Sequence, residues 1–474
     1  MTESVQTTHE VEIDNSNRST TPRSDTFLDY ISSHWADRPE VIPSPWPVAP
    51  FAAQRREALA RQFAGERLVI HAGAMKQRSN DTFYQFRAHS AFAHLTGWGA
   101  ESEPGSILVL DPTADGHEAT LYFRERAGRD SDEFFANPEI GEFWIGARPS
   151  LAQVAGALGI RTAPIADFVS SEGDRVIGRG AVGGEDAGSA SAEDAELSRA
   201  ASELRLVKDE FELAEMQAAV DSTAKGFAEV LAALPQASAH PRGERIVEGV
   251  FNQRARLDGN TVGYETIAAS GPHACTLHWI RNDGPVRAGD LLLLDAGVEL
   301  DSLYTADITR TVPVSGVFSE VQRRVYDAVL EAADAARAIV RPGIRFGDVH
   351  DAAMAVIEHR TREWGLLPED DGTAYHRRYM VHGTSHHLGL DVHDCAQARR
   401  EMYLDGVLAP GMVFTIEPGL YFQPDDLTVP EEFRGIGVRI EDDIVVTADG
   451  CVNLSAGIPR TADDVEAWIR AAQA

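Results

Sequence analysis

Apolar positions along the chain recur with two different periods, and the switches between them mark out the elements. RREALARQFAG has helical spacing and predicts a helix ending at Gly65. RLVIHAG, SILVLDP and ATLYFRE are short β-branched runs bounded by turn residues, and they predict strands. Together they predict an α/β domain over 46–180. Polar, Ser- and Thr-rich residues 1–45 read as a mobile tail. The small, acidic run AVGGEDAGSASAEDAE predicts a linker over 181–200. Beyond it, ELSRAASELRLVKDEFELAEMQAAVDSTAKGFAEVLAAL holds strong helix formers at helical spacing and predicts two helices. GERIVEGVFNQRARL, VQRRVYDAVLEAADAARAIV and FGDVHDAAMAVIEHRTREW predict further helices. TIAAS, DLLLLDAGVEL, DITRTVPV, MVFTIEPGLYF and GVRIEDDIVVT predict strands paired through turns. Helices alternating with hairpins predict an α+β domain over 201–474 with a mainly antiparallel sheet.

Composition narrows the function. The 474 residues carry 74 acids against 43 bases, a net charge of −31. Phosphate recognition needs clustered Lys and Arg, so a nucleic-acid partner is excluded, and so is an anionic membrane surface. Most of this acid excess solvates the surface. No apolar run approaches a membrane span. Cys275, Cys395 and Cys451 form no disulfide framework, and the N-terminus lacks a secretory pattern. A cytoplasmic protein is expected.

Some acids sit where solvation does not explain them. Asp295 closes a run of four leucines, and Asp307 follows twelve residues later between Ala306 and Ile308. A turn near Asp301 and Ser302 would set the two face to face across a ladder. Like charges at that distance persist only around a cation or a shared proton. MVHGTSHHLGLDVHD places histidines at 382, 386, 387 and 393, which suggests ligands with supporting partners. Glu417 falls inside an apolar strand before Pro418, where an unpaired carboxylate is costly. Arg439 and Glu441, two apart, would share a strand face, and one of Asp442 and Asp443 is expected to face solvent. Four carboxylates and one imidazole form a hard, oxygen-rich set suited to Mn²⁺, Co²⁺, Fe²⁺ or Zn²⁺.

In this order and context these segments resemble the pita-bread metallopeptidases, most closely the aminopeptidase P branch (Xaa-Pro aminopeptidases). The resemblance covers 200–474 and reaches the first domain through RSNDTFYQFRAHSAFAHLTGW and FWIGAR. It implies a C-terminal pita-bread (creatinase/aminopeptidase-like) domain behind a smaller α/β domain. It also implies two divalent metal ions, Mn²⁺ in first place, held by Asp295, Asp307, His386, Glu417 and Glu441. A hydroxide bridging the metals would cleave the bond between an N-terminal residue and a following proline, with Glu417 shuttling the proton. His278 would stand beside the metals. His382 and His393 would flank the scissile bond, and Tyr264 and Arg439 the proline pocket. Asp81 and Trp144 would close the site, in some members from a neighbouring subunit, and a homo-oligomer (dimer or tetramer) is implied. The two aspartates stand one residue further apart than the family's usual spacing, so a bulge or longer turn must lie between them. A prolidase restricted to Xaa-Pro dipeptides is the nearest alternative. Creatinase-like and methionine aminopeptidase activities, and a non-catalytic binding module, fit less well.

Overall fold

A computed structural model of the protein describes residues 22, 24–80, 82–178 and 191–474. The chain folds into two compact units, Met1–Gln85 with Glu103–Asp186, and Phe86–Ser102 with Ala187–Ala474.

The first unit is built on a five-stranded mixed sheet. Its order is Arg161–Pro164, Gly116–Phe123, Ile107–Thr113, Leu68–His71, Arg175–Ile177. The three runs expected as strands are strands. The helix expected to end at Gly65 spans Ala49–Ala60 and continues as a 3-10 turn to Phe63. It starts earlier than the periodicity suggests because Pro50 suits a first turn.

Two expectations about connecting segments change. Part of the expected tail is ordered: Asp25–Ser32 is a helix capped by Ser24. Its Phe27 ring meets Phe135 edge to face at 6.0 Å, which gives the segment an apolar anchor. Residues 1–21 and 23 lie outside the described residues, as do 181–190 of the expected linker. The rest of that linker belongs to a helix, Ala192–Leu204, because Ser191 caps it by accepting from Asp194 N–H.

In the second unit, every strand pair among the described residues is antiparallel. Its element order repeats itself. Helices Glu210–Ser238 and Gly243–Asp258 precede the sheet of Ile267–Ser270, Leu291–Ala296 and Ile308–Pro313. Helices Glu320–Ile339 and Phe346–Glu363 precede Val413–Ile416, Asp442–Val446 and Cys451–Asn453. Capping boxes at Asp209 and Ser319 start the first helix of each pair. The leucine strand Leu291–Ala296 is buried along its length, as a strand covered on both faces must be.

Segment Phe86–Ser102, expected in the first domain, belongs to this second unit. Arg87 pairs with Glu299 at 2.7 Å, and Ala100 N–H donates to Asp301 C=O at 2.8 Å. Both bonds seize the hairpin that carries the aspartates.

Candidate metal centre

The aspartate hairpin resolves the question of its extra residue. Leu300 N–H donates to Tyr304 C=O at 3.0 Å, and Leu303 N–H donates to Leu300 C=O at 2.8 Å. The loop therefore has three residues, 301–303, with Leu303 left-handed at φ 71°. This centres the hairpin on Ser302, so Asp295 pairs with Thr309 and not with Asp307. The expected face-to-face pair is a diagonal one. Both carboxylates still share a face because the offset is two residues. Gly297 lies between them, and a Cβ there would sit 1.7 Å from Ala306 O.

The glutamate hairpin behaves differently. Each of its two expected strands is broken at the glutamate. Val413–Ile416 pairs with Asp442–Val446, and Gly419–Tyr421 pairs with Gly437–Arg439, in one common register. That register sets Glu417 directly opposite Glu441. At the break, Glu417 N–H donates to Thr384 C=O at 2.8 Å and Glu441 N–H to Thr309 C=O at 3.1 Å. Glu417 is thus not inside a strand, and Glu441 joins the two hairpins. Pro418, without an N–H, marks where the ladder lapses.

The histidine segment lies along Val413–Ile416. Thr415 N–H donates to His386 C=O at 3.0 Å, and His387 bridges Phe414. These elements enclose a cavity of about 510 Å³. Its wall brings together ten of the twelve residues picked from the sequence: Tyr264, His278, Asp295, Asp307, His382, His386, His393, Glu417, Arg439 and Glu441. Trp144 is not among them; it is 57% exposed in the first unit, and its indole N–H donates to Phe135 C=O at 2.7 Å. Asp81 lies outside the described residues.

The geometry inside is dense. Asp307, His386 and Glu441 each offer a donor atom within 4.8 Å of the others'. His386 Nε2 is 3.3 Å from Asp307 and 3.4 Å from Glu417. Tyr264 Oη reaches both aspartates, at 2.6 Å for Asp295. Arg439 pairs with Asp295, donates to Tyr421 Oη at 3.1 Å and to Thr309 Oγ1 at 3.1 Å. Thr309 in turn donates to Glu441 at 2.6 Å.

So many buried acids cannot all ionise unaided. Burial, with Asp307, Glu417 and Asp295 close by, pushes the Glu441 carboxyl well above its ordinary range. Burial also raises Asp295, against the pull of Arg439. Glu417 is pushed up to about 7 by burial, with His386 opposing and Asp307 adding. Burial opposes charge on His386, yet its bond to Asp307 and the Glu417 carboxylate outweigh that and push it up to about 9. A proton is held among oxygens that a divalent cation satisfies better. The donor set is hard, oxygen-rich and free of thiolate, so the residues fit such a cation. His382 is pushed down to about 4 by burial and by Arg439.

Some participants were not picked from the sequence. Tyr421 faces His382 Nε2 at 2.8 Å, Thr309 supports Glu441, and Thr415 lies 3.4 Å from Glu417. Thr309 follows Asp307 by two, and Thr415 precedes Glu417 by two, so strand period was the available signal. Neither Asp442 nor Asp443 faces solvent, contrary to expectation. Asp442 pairs with Arg310 and Arg460, and Asp443 accepts from Asp307 N–H at 3.2 Å.

The chain is similar to known metallopeptidases over most of its length. Residues 214–448 match the model of metallopeptidase family M24, and residues 52–176 that of the aminopeptidase P N-terminal domain. The chain is 52% identical to Xaa-Pro aminopeptidase 1 of Streptomyces coelicolor over 460 residues, 94% of this chain and 92% of the relative. It is 33% identical to Xaa-Pro aminopeptidase of Escherichia coli over 444 residues, 89% of this chain and 97% of the relative. A low-pH structure of aminopeptidase P from E. coli matches with a TM-score of 0.75 at 31% identity, covering 90% of this chain and 99% of that one. Aminopeptidase PepP of Pseudomonas aeruginosa matches with a TM-score of 0.74 at 31% identity, covering 91% and 100%.

Proposed function

The chain belongs to metallopeptidase family M24, and from that premise we propose that it removes the N-terminal residue from peptides whose second residue is proline. The observation that carries this reading is the meeting of buried Asp295, Asp307 and Glu441 with half-buried Glu417 and His386 on one cavity wall. The family implies a dinuclear divalent metal site, and the donors here fit one. The relatives are Xaa-Pro aminopeptidases, which does not favour a prolidase restricted to dipeptides.

Asp295, Asp307, His386, Glu417 and Glu441 would hold the metals. Manganese is the finer proposal, supported by the oxygen-rich donors. When bound, such a pair polarises the scissile carbonyl and lowers the pKa of water. The remaining work falls to the protein. Glu417 would take a proton from the attacking water and return it to the proline nitrogen. His382 Nδ1 lies 2.7 Å from Gly383 C=O, so that nitrogen carries the hydrogen and Nε2 accepts from Tyr421 O–H. Both its ring nitrogens are thereby engaged. Partial desolvation and the nearby His386 charge lower the His393 pKa. Among the described residues its ring meets the His386 ring at 4.4 Å, and it is the imidazole we assign to the carbonyl oxygen. An Xaa-Pro bond lacks an N–H. Recognition therefore falls to side chains, with Tyr264, Arg439 and His278 proposed for the substrate.

A dimer or tetramer is proposed because Phe143, Trp144 and Ile145 stand exposed together on the first unit. Three free thiols support a cytoplasmic location, and no helix among the described residues is long and apolar enough to cross a membrane. The decisive assay follows release of the first residue from Xaa-Pro-Yaa peptides by enzyme purified with added Mn²⁺. Wild type is expected to release it and Glu417→Ala is not. An inert wild type, or an active Glu417→Ala, refutes the proposal.

A further inference from the structure

Glu244 opens the helix Gly243–Asp258, and its side chain is fully buried. Oε1 accepts from Ser270 N–H at 2.9 Å and lies 2.7 Å from His273 Nδ1. Oε2 accepts from Gly284 N–H at 2.7 Å and from the Trp279 indole at 2.9 Å. A carboxylate has about four acceptor positions, so this one is saturated.

All four donors lie on one stretch of chain, Ser270 to Gly284. His273 and Trp279 stack within it, with ring centroids 3.9 Å apart and planes 22° apart. Asn282 closes the return: its side chain accepts from Ala268 N–H at 3.0 Å and donates to Thr266 C=O at 2.8 Å. Gly284 is required here, since a Cβ would stand 2.5 Å from the His273 ring. The same stretch supplies Leu277, His278 and Ile280 to the cavity. Trp279 faces Glu244 while its neighbours on either side face the cavity, so the clamp and the wall are two sides of one segment.

Resting on the aminopeptidase reading above, we propose that Glu244 is a positioning residue. It fixes the 271–284 loop through Trp279 and His273, and thereby sets His278 against the substrate. Glu244 touches no substrate itself.

The test uses full-length, metal-loaded enzyme and Xaa-Pro-Yaa peptides. In Glu244→Gln the volume is kept, but an NH₂ group confronts two N–H donors. We expect kcat/KM to fall about tenfold, mainly through KM, with metal content and circular dichroism unchanged. Trp279→Phe keeps a ring against His273 and loses one donor; about threefold is expected. In a His278→Ala background both changes should cost less than about twofold, because the group they position is gone. If both changes cost as much there as in wild type, or neither alters KM, the positioning role is overturned. Should Glu244→Gln not fold, Trp279→Phe in the two backgrounds decides alone. A wild type that cleaves nothing would overturn the aminopeptidase reading instead.

Discussion

In the hairpin Leu291–Pro313 one register runs past the carboxylates, and Asp295 and Asp307 end up diagonal to each other. In Val413–Val446 the ladder breaks at Glu417 and Glu441, which stand directly opposite. Each hairpin delivers two acids to the same wall. The aspartate hairpin does so by side chains: Tyr264 and Arg439 reach across to its carboxylates. The glutamate hairpin does so by backbone: its N–H groups turn to Thr384 and Thr309. The aspartate hairpin should therefore depend on the side chains that reach it, and the glutamate hairpin on the loop packed beside it.

The comparison breaks most sharply where a donor is removed from either side. Asp307→Ala and Glu441→Ala should each lower kcat/KM by on the order of a thousandfold, with metal per chain lost in elemental analysis. Full metal and full activity in one of them would show that its hairpin supplies no ligand.

The next effect probes the backbone that flanks the glutamates. Asp394 N–H donates to His387 C=O, and its buried carboxylate pairs with Arg205 at 2.8 Å and Lys208 at 3.1 Å. Burial alone would raise it, but Lys208 and Arg205 hold it well below the ordinary carboxylate range. A depressed folded pKa gives stability that is full above the unfolded value, about 3.9, and is lost as pH falls below it toward the folded value. Asp394→Asn should cost about 3–5 kcal/mol at pH 7. It should also flatten the loss of stability as pH falls below about 4 in urea melts. An equally steep loss in the variant would place that acid sensitivity elsewhere.

Leu303 tests the loop that makes the aspartates diagonal. Its left-handed backbone costs about 1–2 kcal/mol, while a buried leucine loses about 2–5 kcal/mol on truncation. Leu303→Gly should therefore destabilise by roughly 1–3 kcal/mol. A rise in thermal midpoint would mean that strain outweighs packing. The smallest effect is expected from Tyr264→Phe, which removes the hydroxyl between the aspartates. About tenfold in kcat/KM, near 1.4 kcal/mol, is expected, with the glutamate pair unaffected.

Much of this was legible in the chain. An acid at the end of LLLL, a glutamate before Pro418 and a cluster of histidines are costly choices in apolar runs, and cost points to a ligand. Less legible were contacts made by residues of ordinary type. Thr309, Thr415 and Tyr421 look like strand residues until their neighbours are known. Asp442 and Asp443 look like surface acids, but Arg310 and Arg460 bury the first. The 86–102 segment reads as part of the first domain because nothing local reveals that Ala100 and Arg87 bond to the aspartate hairpin.

By itself the sequence determined which side chains could form the centre, since burying carboxylates is expensive and period 2 decides the face of each strand. The family resemblance added that one extra residue lay between Asp295 and Asp307. Only the tertiary structure decided what that residue does. A loop could be centred on Asp301 or on Ser302, and the second sets Leu303 in the left-handed region against local preference. Arg87 and Ala100, held from a distant segment, bond to the latter arrangement and leave the aspartates diagonal.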